Sequence, residues 1–89
     1  FAVALNSGTS AIDLSLKLLG ISGEDEVMVP TITFIAPVNC ILYQKANPIF
    51  FDCDKNLNID ADKVINFIEK KTIFKNGHTI NKKTKKKIK

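Results

Sequence analysis

The stretch Asn6-Ser7-Gly8-Thr9-Ser10-Ala11 places three hydroxyls, a carboxamide and a glycine in six positions. An apolar run, Phe1 to Leu5, precedes it, and Ile12, Leu16, Leu18 and Leu19 follow at helical spacing. This order predicts a strand, a short polar turn and a helix. The first N–H groups of such a helix lack partners within it and sit at the positive end of its dipole. A phosphate is therefore a natural guest. Gly8 allows close backbone approach, and Ser7, Thr9 and Ser10 offer hydroxyl donors. Ser, Thr and Asn also cap helix starts in general. On these six residues alone, a phosphate turn and a plain N-cap fit equally.

Other chemistry is sparse. Cys40 and Cys53 form no CxxC pair and have no His near them in sequence, so metal and redox-motif readings are poor. Cys40 falls in an apolar helical pattern and reads as a small core residue, while Cys53 is expected at a strand end. His78, the only histidine, has no carboxylate or nucleophile beside it and reads as structural or solvent-facing.

The elements that must position these residues alternate. Phe1–Leu5 is expected to be a strand covered on both faces. A helix follows from about Ser10 to Leu19, stopped by Gly20. Val27-Met28-Val29 reads as a second strand, ended by Pro30. A second helix is expected from Thr31-Ile32-Thr33 toward Tyr43, with Pro37 tolerated early. Ala46-Asn47-Pro48 reads as a turn, and Ile49 to Asp52 as a third strand. The third helix, Ala61 to about Lys71, carries the apolar face Val64, Ile65, Phe67 and Ile68. Strand–helix alternation of this kind predicts an α/β fold, a mainly parallel sheet with flanking helices. After Lys71 the pattern changes. Thr72-Ile73-Phe74 and Thr79-Ile80 are β-prone around the hairpin turn Asn76-Gly77, and Asn81 to Lys85 suggests another tight turn. The expected division is an α/β part over 1–71 and a lysine-rich, hairpin-like excursion over 72–89.

Eighty-nine residues, 45% hydrophobic, suit one small folded unit. The net charge of +4 comes from the end of the chain, where six of the 13 basic residues lie between Lys82 and Lys89. A basic run can contact nucleic acid or an anionic surface. No aromatic residue is interleaved with these lysines, as a single-strand binder would want, and a solvated hairpin is favoured. No apolar run approaches the roughly 20 residues of a membrane span. The expectations are therefore no nucleic-acid or membrane partner and a cytoplasmic location. Starting inside a strand and ending without a cap, the chain is expected to be a piece of a larger protein.

The order from Asn6-Ser7-Gly8-Thr9-Ser10-Ala11 through Gly20, Glu24 to Ala36, Asn47 to Asp54 and Leu57 to Asp60 closely resembles the DegT/DnrJ/EryC1/StrS family. These are sugar aminotransferases of the aspartate-aminotransferase fold that use pyridoxal 5′-phosphate. The resemblance implies that the chain is part of the large domain of a fold type I transferase. The tail Lys75 to Thr84 looks like the excursion of the LegC-like branch, which acts on nucleotide-linked 4-keto-6-deoxy sugars in nonulosonic-acid and related surface-glycan pathways.

By this resemblance the turn Gly8-Thr9-Ser10, with Ser7, holds the cofactor phosphate. Phe34 matches the aromatic residue that stacks on the pyridine ring; on its residue type alone it would be a core residue. Asp52 and Asp54 match an acidic strand end and read as loop caps. Lys85 falls where the excursion often has Gly. The resemblance further implies glutamate as amino donor, a nucleotide-sugar substrate and a homodimer. It also implies a Schiff-base Lys and an acid at the pyridine nitrogen, both well downstream of the matched region. No lysine of this chain matches the former, so no catalytic residue is assigned, and the chain alone is expected to be inactive and to fold poorly. The alternatives are a basic-tailed module binding nucleic acid or an anionic surface, and a Rossmann or P-loop piece. The last lacks GxGxxG and GxxxxGK[ST].

Overall fold

The computed structural model describes residues 1–89. Three helices and five strands follow in the order α1 (Gly8–Leu18), β1 (Asp25–Pro30), α2 (Ile35–Tyr43), β2 (Asn47–Phe51), α3 (Ala61–Lys71), β3 (Thr72–Lys75), β4 (His78–Asn81) and β5 (Lys87–Ile88). One sheet has the order β2-β1-β5-β4-β3. β1 pairs in parallel with β2 and with β5, whereas β4 pairs antiparallel with β5 and with β3. The fold is α/β as expected, but the sheet is mixed rather than mainly parallel. The excursion does not stay apart: its last strand inserts between β4 and β1.

Both N-terminal helices end in the same motif. Gly20, at φ +67°, follows the α1 cap. Its N–H donates to Lys17 O and that of Ile21 to Leu16 O, at 3.0 and 3.1 Å. After α2, Lys45 adopts φ +60°. Its N–H donates to Leu42 O and that of Ala46 to Ile41 O, at 2.8 and 3.2 Å. These paired bonds satisfy carbonyls that each helix end would leave open. They also turn Ile21 and Ala46 inward, where they form the buried core with Val29 and Ile41, flanked by Leu16, Val27 and Val38. The turn expected at Ala46-Asn47-Pro48 therefore lies earlier, at Gln44-Lys45, and β2 already begins at Asn47.

Strand alternation places Val27 and Val29 on the face packed by this core, and Glu26 and Met28 on the other. In the β1–β2 register, Phe51 stands opposite Pro30 and shares that other face. There it meets Phe67 of α3 edge-on, with ring centroids 5.3 Å apart at 81°. The helices thus cover both faces of the sheet. α3 starts at Asp60, whose carboxylate accepts from Lys63 N at 3.2 Å, and runs over the expected residues. Asn76 and Gly77 take φ +51° and +76° between β3 and β4, as a hairpin of this type requires.

Two elements differ from expectation. Phe1–Leu5 is not a strand and is exposed throughout. An apolar run supplies β-propensity, but a strand also needs a neighbour for its ladder, and no segment of the chain pairs with this one. Helix α2 begins at Ile35 rather than Thr31. The Thr31 N–H donates to Phe51 O at 2.8 Å, which prolongs the β1–β2 ladder past Pro30.

Candidate functional site

Ser7 is the N-cap of α1, in extended backbone at φ −160° and ψ 158°. Its Oγ accepts from Ser10 N at 3.1 Å, and Ala11 N donates to Ser7 O at 3.1 Å. That accounts for the third and fourth amides of the turn. The N–H groups of Gly8 and Thr9 precede any possible intrahelical acceptor and remain as donors at the positive end of α1. A Cβ added to Gly8 would meet no atom within 4 Å, so the space before these amides is open.

That space is a groove of about 400 Å³ lined by Gly8, Thr9 and Ile12 on one side and by Thr33 to Pro37 on the other. Phe34, the N-cap residue of α2, is 89% exposed at its edge. Gly8, Thr9 and Phe34, 26 or 25 positions apart in sequence, are thus brought to one groove. Ser10 is not among the lining residues. Its hydroxyl turns back, donating to Asn6 Oδ1 at 2.9 Å and lying 3.0 Å from Ser7 Oγ.

The groove is held by two contacts between α1 and α2. Cys40 Sγ donates to Thr9 O at 3.4 Å, and Gln44 Nε2 donates to Asp13 Oδ1 at 2.6 Å. Both link residues 31 apart, so the two helices run in the same direction and their N-terminal ends lie together. Cys40 is fully buried, the core position its pattern suggested. Burial, with the nearby Asp13 charge, pushes its thiol pKa up. Five lining residues, Ile12, Thr33, Ile35, Ala36 and Pro37, are not among the site residues read from the sequence. Ile12 is the one with a sequence signal, four residues after Gly8 on the same helical face.

The remaining candidates are structural. Asp54 Oδ1 accepts from Asn56 N and Asn58 N at 2.8 and 3.0 Å, capping its loop. Asp52 pairs with Lys63 Nζ at 2.7 Å, and that hydrogen bond raises the Lys63 pKa. Cys53 bridges to Ile59 beyond β2, and both cysteines are free thiols. His78 is exposed at the hairpin.

Half of the tail lysines are engaged within the chain. Lys82 Nζ donates to Lys70 O at 3.0 Å at the C-terminal end of α3. Lys86 Nζ donates to Gly23 O at 2.7 Å, and Lys89 Nζ to Gly20 O at 3.5 Å, 3.8 Å from Asp25 Oδ2. Asn81 Nδ2 donates to buried Glu26 at 2.8 Å. Lys85 takes φ +64°, a conformation that favours Gly. No helix is long and apolar enough to cross a membrane.

The sequence model of the DegT/DnrJ/EryC1/StrS aminotransferase family matches residues 1–80. GDP-perosamine synthase of Escherichia coli O157:H7 is 54% identical over 54 residues, covering 61% of this chain and 15% of the relative. UDP-N-acetyl-3-dehydro-alpha-D-glucosamine 3-aminotransferase of Acidithiobacillus ferrooxidans is 50% identical over 52 residues, 58% of this chain and 14% of the relative. EpsN of Bacillus subtilis (strain 168), provisionally named a pyridoxal phosphate-dependent aminotransferase, is 47% identical over 53 residues, 60% of this chain and 14% of its own length. The chain thus spans about a seventh of the length of these relatives. With 80 of its 89 residues matched, this chain belongs to the DegT/DnrJ/EryC1/StrS aminotransferase family.

Proposed function

We propose that the chain forms the phosphate-holding part of the cofactor site of a pyridoxal 5′-phosphate-dependent aminotransferase acting on a nucleotide-linked 4-keto-6-deoxy sugar. The observation that carries this reading is the open groove between the unpartnered Gly8 and Thr9 amides and Phe34. Its residues fit the group. Two N–H donors at a helix N-terminus suit a phosphate monoester, and an exposed aromatic ring at the same groove suits a flat heterocycle.

In this site the Gly8 and Thr9 amides hold the phosphate, with the Thr9 hydroxyl as a further donor. Phe34 covers the ring and keeps water from it. When bound, the cofactor supplies the electron-withdrawing ring on which transamination depends. By the family resemblance, the proton-shuttling Lys and the acid at the ring nitrogen lie downstream of the matched region, so the role proposed for these residues is to bind and orient the cofactor. Family membership and the name of one relative support the cofactor. The names of two others support a nucleotide-linked sugar. Assignment to a LegC-like branch in surface-glycan synthesis, with glutamate as donor and a homodimeric assembly, rests on resemblance alone and is part of the same proposal.

The test uses pyridoxamine 5′-phosphate, because an aldehyde would react with the many surface lysines. Calorimetry on the protein expressed from its own gene should give tighter binding of pyridoxamine 5′-phosphate than of pyridoxamine. Equal affinities would overturn the proposal. The basic-tail alternative is disfavoured by the three lysines already bonded to backbone carbonyls.

A further inference from the structure

Resting on the phosphate-turn reading, we propose that Asn6 is a positioning residue that decides which groups of the turn face the anion. The hydroxyl of Ser10 has one proton, and it goes to Asn6 Oδ1 at 2.9 Å. At the 3.0 Å contact between the two serine oxygens, Ser7 must therefore be the donor and Ser10 the acceptor. Ser7 Oγ in turn accepts from the Ser10 amide at 3.1 Å. The protons thus run in one direction, from Ser7 to Ser10 to Asn6.

This relay has a consequence for recognition. Both serine hydroxyl protons point along the relay, so neither is offered to the groove. The donors left are the Gly8 and Thr9 amides and the Thr9 hydroxyl, which has no partner in the chain. Ser10, a residue whose type suggests phosphate contact, becomes a strut that keeps Ser7 on its cap and the first turn of α1 in place. Asn6 suits this role because its carboxamide oxygen accepts without adding negative charge. Aspartate would accept the same hydrogen bond but set a carboxylate beside an incoming phosphate.

The experiment compares pyridoxamine 5′-phosphate with pyridoxamine on the protein expressed from its own gene and its variants. Asn6→Ala and Ser10→Ala should each weaken binding of the phosphorylated ligand by about three- to tenfold, the scale of one hydrogen bond. Affinity for pyridoxamine should not change. The double variant should be no worse than either single one, because the two residues act as a unit. Asn6→Asp should keep the Ser10 amide as protected from exchange as in the parent while weakening only the phosphorylated ligand. Without ligand, Asn6→Ala should speed exchange at Ser10. If Ser10→Ala alone weakens binding and Asn6→Ala does not, Ser10 touches the phosphate directly and the relay is overturned while the phosphate turn stands. Unchanged binding in both single variants overturns the relay as well. If the parent protein itself does not distinguish the two ligands, the phosphate turn falls and the role of Asn6 with it.

Discussion

Cys40 donates its thiol proton to the carbonyl oxygen of Thr9 at 3.4 Å, joining the core of α2 to the first turn of α1. Thr9 is also a lining residue of the groove, so one contact ties the packing of the sheet-facing core to the place where an anion is met. Cys40→Ala removes that contact and leaves a small void at a fully buried position. The expected cost is about 1 kcal/mol, read from the denaturation midpoint. The same burial should make Cys40 react with a thiol reagent more slowly than Cys53, which is only partly buried.

The raised pKa values of Cys40 and Lys63 predict a loss of stability at alkaline pH. Burial raises the Cys40 pKa, and the hydrogen bond to Asp52 raises that of Lys63. In each case the folded chain holds its proton more tightly than the unfolded chain. Above the ordinary pKa the unfolded state has lost the proton and the folded state has kept it, so stability falls as pH rises. From these groups, the melting temperature should be flat below the ordinary thiol value of 9.0 and decline above it, with Lys63 adding to the decline past 10.5. In Cys40→Ala the earlier part of that decline should disappear.

The matching ends of α1 and α2 predict opposite effects at matching positions. Gly20→Ala puts a Cβ where φ is +67° and should cost about 1 kcal/mol. Lys45→Gly relieves the same strain at φ +60° and should stabilise by a similar amount. Paired chemical denaturation curves measure both signs.

Asn81 and Glu26 test whether the tail is integral to the sheet. Asn81→Ala leaves the buried Glu26 carboxylate without its donor at 2.8 Å and should cost about 2 kcal/mol. Replacing Lys86 and Lys89 by Met should likewise lower the melting temperature, since both hold the α1–β1 turn. Heparin elution that collapsed with an unchanged melting temperature would instead mark these lysines as an anion-binding face.

Much of this fold is legible in the sequence because its signals are local. Asp60 before Ala61–Lys71 and Asn76-Gly77 between two β-prone runs each fix an element by their own chemistry. Phe1–Leu5 is illegible for the opposite reason: its propensity is local, but strand formation depends on a neighbour elsewhere. Lys45 hides a helix end because a left-handed residue that is not Gly, Asn or Asp leaves no signal. The insertion of β5 beside β1 depends on pairing across more than 60 residues. In the candidate site, the turn around Gly8 and Thr9 fits a phosphate and a plain N-cap equally on its residues, and family resemblance favours the phosphate there as it picks out Phe34. The direction of the Ser7–Ser10–Asn6 relay emerges only from distances.

Whether this turn holds a phosphate is read most directly from the affinity of Gly8→Val, Thr9→Val and Phe34→Ala proteins for pyridoxamine 5′-phosphate and for pyridoxamine. A Cβ at Gly8 touches nothing in the chain, so a side chain there should obstruct an incoming group, and an unchanged denaturation midpoint checks that Gly8→Val stays folded. The expected result is that Gly8→Val and Thr9→Val weaken the phosphorylated ligand alone, by about tenfold or more, while Phe34→Ala weakens both ligands. Unchanged affinity for the phosphorylated ligand in Gly8→Val, with the fold intact, would contradict the assignment of this turn as the phosphate site.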